Sequence, residues 1–123
     1  MSFNSLKAYQ KGFSLAMDVF EISKSFPKEE TYSLTDQIRR CSRSVCTNIA
    51  EGYRKRNYPK HFVSKLTDSD SENSETQVWL EFCLSCHYIS KERYKTLIEK
   101  SHEVGKLINY MIQNPQKFGI IET

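Results

Sequence analysis

The strongest constraint on this chain is a spacing. Apolar residues recur every three or four positions through four long stretches, and the three prolines, Pro27, Pro59 and Pro115, fall only between or after them. That repeat is the period of a helix with one buried face, whereas a half-buried strand alternates every second residue. A proline pushes the residue before it out of the helical region, so each one marks a boundary. Four glycines in 123 residues are too few for the turns of a sandwich or barrel. The pattern predicts an all-α fold.

The first helix is predicted over residues 4–24. Leu6, Tyr9, Phe13, Ala16 and Phe20 form one stripe, with Leu15, Val19 and Ile22 beside it. The second starts near Ser33 or Thr35, either of which can cap it, and buries Leu34, Ile38, Cys41, Val45, Ile49 and Gly52. The third runs from Lys60 to about His87 on Phe62, Leu66, Ser69, Asn73, Thr76, Leu80, Cys83 and His87. Its polar centre reads as a loop by propensity, but the unbroken rhythm on both sides predicts one helix. The fourth follows Ser90, a good N-cap, and carries Tyr94, Leu97, Ser101, Val104, Ile108 and Met111 to Asn114-Pro115. Short connections make successive helices antiparallel, which gives an up-down-up-down antiparallel four-helix bundle over residues 1–115 with a tail at 116–123.

A chain of this length buries about two-thirds of its unfolded surface, so it can fold as one domain without a staple. No apolar run approaches the roughly 18 residues of a membrane span. The N-terminus lacks the charged start and apolar core of a signal peptide, so a cytoplasmic protein with four reduced cysteines is expected.

The stretch from Ser25 to Tyr53, SFPKEETYSLTDQIRRCSRSVCTNIAEGY, carries a specific motif. Phe26, Pro27, Glu30, Leu34, then Gln37-Ile38-Arg39-Arg40, Ser44 and Asn48-Ile49-Ala50-Glu51-Gly52 stand in the order found in the four helix bundle proteins, also called 23S rRNA intervening-sequence or S23-type proteins. Leu66, Glu75, Leu80 and Tyr88-Ile89 continue the match, and the resemblance spans about residues 5–112. The chain departs from the common pattern in its third helix, where SDSENSE replaces a Gly-Ser pair. The resemblance implies a bacterial four-helix bundle, often a ring-shaped homopentamer, with no established enzymatic activity. A related branch, the accessory protein of diversity-generating retroelements, binds nucleic acid and a reverse transcriptase.

Charge is segregated. Residues 39–60 hold seven Lys and Arg against Glu51, net +6, and residues 66–82 hold five carboxylates and no Lys or Arg, net −5. The candidate nucleic-acid-binding residues are Arg40, Arg43, Arg54, Lys55, Arg56 and Lys60, with Tyr53 and Tyr58 nearby to stack bases. Two other readings of this stripe stay open, a solvated helix face and a head-to-tail contact with the acidic stretch of another copy. Arg39, Asn48, Glu51 and Glu75 are candidates for a polar network inside or between subunits, since a buried carboxylate needs a partner.

Other motifs read as packing. Cys83-Leu84-Ser85-Cys86-His87 has the spacing of a haem attachment site, but it ends an amphipathic helix in a chain without an export signal. Cys41 and Cys46 are spaced wrongly to complete a zinc site with Cys83 and Cys86. Asp68, Asp70 and Glu72 start like a calcium loop, but Asn73 stands at the turn glycine and Trp79 at the final glutamate. His61, His87 and His102 lie on separate segments, and no nucleophile–base set is visible. The sequence therefore implies no metal, cofactor, membrane partner or small-molecule substrate. It reads as a non-enzymatic, self-associating protein with RNA or DNA as the candidate partner. The alternative is a protein-interaction scaffold that binds no nucleic acid.

Overall fold

Four helices make the fold: α1 (Lys7–Ser23), α2 (Leu34–Arg54), α3 (Pro59–Ser85) and α4 (Lys91–Gln113). The computed structural model describes residues 2–119, and among these there is no strand. Each helix packs side by side with two neighbours, α2 with α3, α3 with α4, and α1 with both α2 and α4, while the diagonal pairs meet only through core side chains. Pairings run in opposite directions. Going back along α2 from Gly52 to Val45 to Cys41, the partners in α3 advance from Leu66 to Ser69 to Thr76. The result is the expected antiparallel four-helix bundle.

The helix ends follow from local chemistry. Ser90 accepts a hydrogen bond from the Arg93 amide at 3.0 Å and caps α4. Ser33 precedes α2 without capping it through its side chain. Its hydroxyl donates to Glu30 Oε1, which also accepts the Leu34 amide at 3.4 Å, so Glu30 satisfies a free amide there. Pro59 opens α3 at a position whose amide needs no partner. At the other end of α3, the Tyr88 amide reaches back to Cys83 O at 2.8 Å and the His87 amide to Leu84 O at 3.0 Å. That closing turn needs a left-handed residue, and His87 supplies it with φ 61°. His87, expected on the buried stripe, is therefore outside the helix and exposed.

The first helix departs most from expectation. It begins at Lys7 after a 3-10 turn over Phe3–Ser5, and its buried face is Ala8, Gly12, Leu15, Ala16, Val19 and Ser23. Tyr9 and Phe20 are only partly covered and Phe13 is half exposed. The small side chains decide this. A Cβ on Gly12 would lie 3.4 Å from Cys46 Sγ and 3.5 Å from Val45 Cγ1, so α1 seats its smallest residues against α2 and turns its aromatic stripe outward. Gly52 does the same between α2 and α3, where an added Cβ would come within 3.1 Å of Lys65 Cβ.

The core has two apolar halves. Val45, Ile49, Phe62, Leu66, Val104 and Ile108 fill one, and Leu15, Val19, Ile38, Leu80, Cys83 and Leu97 fill the other. Between them lies a polar waist built by the centre of α3, which is one continuous helix. Ser69 donates to Val45 O at 2.7 Å, and the Thr76 hydroxyl lies 3.2 Å from Cys41 Sγ. Asn73 donates to Ser101 O at 2.9 Å and accepts from the Ser101 hydroxyl at 2.9 Å, and Gln77 donates to that same hydroxyl. Among the described residues no buried side-chain polar atom lacks a partner.

Part of the expected tail is folded back. Pro115–Lys117 form a 3-10 turn, and Phe118 packs against Phe62 and Tyr110 with ring centroids 6.1 and 6.2 Å away. Residues 120–123 lie outside the described residues.

Three stability outcomes follow, each measured by urea denaturation. Leu80→Ala should cost about 2–5 kcal/mol, since it empties a fully buried position. Asn73→Ala should cost about 1–3 kcal/mol by removing both buried hydrogen bonds to Ser101. His87→Gly should stabilise by about 0.5–1 kcal/mol, because glycine enters the left-handed region without a Cβ clash.

Candidate nucleic-acid interface

The antiparallel topology gathers four segments at one end of the bundle: the start of α1, the end of α2, the start of α3 and the end of α4. Residues 2–13, 47–66 and 103–119 supply nine Lys and Arg against two carboxylates, a net +7 in a chain of net +3. The other residues therefore sum to −4. Both carboxylates of this end are already paired, Glu51 with Lys65 and Glu103 with Lys11, each at 3.3 Å. Arg54, Lys55, Arg56, Lys60, Lys7, Lys106 and Lys117 take part in none of the ion pairs among the described residues.

The turn between α2 and α3 displays the centre of this charge. The Tyr58 amide closes it onto Lys55 O at 2.8 Å. Arg54, Lys55 and Lys60 are exposed. Arg56 lies over the Tyr53 ring at 4.3 Å and donates to Tyr53 O at 3.0 Å, which holds its guanidinium in place. Tyr53 is buried beneath it and is not available to stack a base, contrary to the sequence expectation. Tyr58 is exposed, with its ring edge-on to His61 at 6.2 Å.

Arg40 and Arg43 stand apart from this group. Both are exposed on α2, but Arg43 is eleven residues before Arg54, about 16 Å along the helix. Arg40 is near enough to Glu72 to act on its carboxyl. Arg43 lies 5.8 Å from the centroid of Phe20, in the groove between α1 and α2. The structure thus unites Arg54, Lys55, Arg56 and Lys60 and separates them from Arg40 and Arg43. It adds Lys7, Lys106 and Lys117, which sequence reading missed because no local pattern joins them.

Arg39, Asn48, Glu51 and Glu75 do not form one network within the chain. Arg39 donates to Ser23 Oγ at 2.7 Å and lies over Phe20. Asn48 donates to Ser44 O of its own helix. Glu51 pairs with Lys65, and Glu75 accepts from Trp79 Nε1 at 3.0 Å. Each is satisfied locally, so none needs the others.

The remaining reactive groups are packed or scattered. Burial pushes the Cys41 and Cys46 thiols up to about 11 and Cys83 to about 12, so all three stay protonated at neutral pH. Cys83 belongs to the core, while Cys86 is exposed beyond the end of α3. Among the described residues no group of three or more His, Cys, Asp or Glu is placed to hold a metal ion, and no helix is long and apolar enough to cross a membrane. One carboxylate does draw several elements together. Glu30 accepts from Ser33 and, at 2.8 Å, from the Tyr88 hydroxyl beyond α3. Those two hydrogen bonds hold its carboxyl below the usual range.

Residues 4–110 match the profile of the family described as 23S rRNA-intervening sequence protein. Among solved structures, a protein of unknown function from the S23 ribosomal protein family of Bacteroides thetaiotaomicron superposes with a TM-score of 0.79 at 27% identity. The match covers 92% of this chain and 99% of that one. No curated protein matches the sequence.

The Glu30 contacts predict an acid-sensitive clasp. Its folded carboxyl titrates below its ordinary value of 4.5, so its stabilisation is complete above that pH and lost as pH falls through the depressed value. Glu30→Gln should weaken the protein at pH 6–7 and flatten the loss of stability below about pH 4.5, as read from melting temperature against pH. Parallel acid limbs for the two proteins would contradict this.

Proposed function

The chain belongs to the 23S rRNA-intervening sequence protein family, and on that premise we propose that it is a non-enzymatic, self-associating bundle that binds nucleic acid through its basic end. One observation carries the reading: nine Lys and Arg gather at one end of the fold, and the two carboxylates among the described residues of that end each pair with a lysine. Such a surface suits phosphates, which supply most of the sequence-independent affinity for a polyanion. The family's name, which refers to an intervening sequence of 23S rRNA, points to RNA first. The described residues hold no zinc-finger ligand set and no aromatic-studded sheet, which favours electrostatic, sequence-tolerant recognition. We place the protein in the cytoplasm, where such a partner resides.

Self-association rests on exposed apolar surface. Phe13, Met17, Val78 and Phe82 all lie about half exposed on the bundle's flanks, where another copy can cover them. A closed ring, for which the family resemblance suggests five copies, would present the basic end once per subunit and multiply weak contacts by avidity. The same flanks favour the second reading, a scaffold for protein contacts without nucleic acid.

Fluorescence anisotropy with labelled RNA and DNA at two salt concentrations tests the choice. Binding should weaken steeply with salt, and R54A/K55A/K60A should reduce the slope of log K against log salt by about 2–3, one unit for each lost phosphate contact. R40A/R43A should alter that slope less. No binding at low salt, or a triple variant that binds like the parent, leaves the scaffold reading.

A further inference from the structure

The turn that joins α2 to α3 carries an aromatic side chain with no structural task. Tyr58 is 64% exposed and belongs to neither apolar half of the core. It stands at the N-cap of α3, yet its side chain makes no capping hydrogen bond. The backbone beneath it is fixed all the same. The Tyr58 amide donates to Lys55 O at 2.8 Å, and Pro59 keeps Tyr58 out of the helical region, at φ −121° and ψ 87°. The ring meets His61 at 6.2 Å and 84°, and a perpendicular pair covers at most one face of the Tyr58 ring. Tyr58, Pro59, Lys60 and His61 line a shallow hollow there, and all four are exposed. Lys55 and Lys60 flank it and take part in no ion pair among the described residues. Tyr32 is more exposed, at 93%, but it closely follows Glu29 and Glu30 at the opposite end of the bundle, where phosphates are repelled.

We infer that Tyr58 stacks on an unpaired base, so that the basic end takes single-stranded or looped nucleic acid in preference to a duplex. The inference rests on the nucleic-acid reading above and names its substrate class. The reason lies in which faces are free. Inside a duplex every base is covered by the next base pair, so a protruding ring finds no face to lie on. In a single strand or a loop the bases splay, and one can stack on the ring while Lys55 and Lys60 hold the flanking phosphates. The turn is already ordered, so placing the ring costs little conformational freedom on binding. Every base has a π face, so this contact fits sequence-tolerant recognition. The ring carries no charge and releases no counterions, so its share of the affinity does not follow salt.

Three probes test it by fluorescence anisotropy at two salt concentrations: a short unstructured RNA strand, the DNA strand of the same sequence, and an RNA duplex of the same length. Tyr58→Ala should bind both strands roughly 5- to 100-fold more weakly, the worth of one stacked base, and the duplex as wild type does. Its slope of log K against log salt should stay that of wild type, unlike that of the cationic triple variant. Tyr58→Phe keeps the ring and should bind like wild type. Tyr58 neither caps α3 nor enters the core, so Tyr58→Ala should keep its helical circular dichroism. Tyr58→Trp reads the contact directly. Its fluorescence should fall as the RNA strand is added, whereas wild type should change little, because its single tryptophan, Trp79, lies about 30 Å further along α3. If Tyr58→Ala binds the strands like wild type, or loses the duplex equally, Tyr58 does not stack an unpaired base, although binding at the basic end stands. If wild type binds none of the three probes at low salt, the nucleic-acid reading falls and this inference with it.

Discussion

The fold depends on the hydrogen bonds of the α3 centre. Ser69, Asn73 and Thr76 enter a region where an unpaired polar group costs more than a lost contact, so the bundle must close in the one register that satisfies them. Asn73 is the strictest. It needs both the carbonyl and the hydroxyl of Ser101, so sliding α4 by one turn would orphan both sides. Leu, Ile and Val in the two apolar halves tolerate shifts by repacking, whereas a buried amide pair does not. The waist thus supplies the uniqueness of the arrangement and the halves supply most of its free energy.

That register has consequences on the surface. Fixing α3 against α2 and α4 leaves α1 to fill the last side, and its small residues fit there best. Ala8, Gly12 and Ala16 let it sit close to α2, with Gly12 against Cys46 and Val45, which forces Phe13 and Met17 outward beside Arg43. The exposed aromatic groove is therefore a product of close core packing and not of a missing partner within the chain. The short turns act in the same way at the ends. They return each helix beside the last, so the basic residues of four separate segments share one end while the acidic side of α3 lies along the flank. The same register thus leaves the bundle with a basic end and half-exposed apolar residues on its flanks.

Much of this was legible in the order of residues. The three-to-four rhythm, the placement of Pro27, Pro59 and Pro115, and Ser90 at a helix start all encode short-range physics, and they located four helices and the antiparallel path. The seam of α2 from Leu34 to Gly52 was readable because it is a single stripe with charges opposite, and that of α3 from Phe62 to Cys83 because its three-to-four rhythm is unbroken. The continuity of α3 through its polar centre was readable for the same reason. The run Arg54–Lys60 was visible because the chain itself places those cations together.

What the sequence could not fix was any choice between two equally apolar faces or any grouping across distant segments. α1 carries two stripes, and which one is buried depends on how closely α2 approaches Gly12, a distance set by the whole bundle. Lys7, Lys106 and Lys117 join the basic end only because the helices run antiparallel, and Arg43 leaves it because eleven residues of helix are a rigid spacer. Within the chain, Arg39, Asn48, Glu51 and Glu75 do not join one another, because Ser23, Ser44, Lys65 and Trp79 lie closer to each of them. Periodicity is a property of neighbours along the chain and therefore determined the helices. Burial and electrostatic grouping are properties of neighbours in space, and those were decided when the polar waist locked the register.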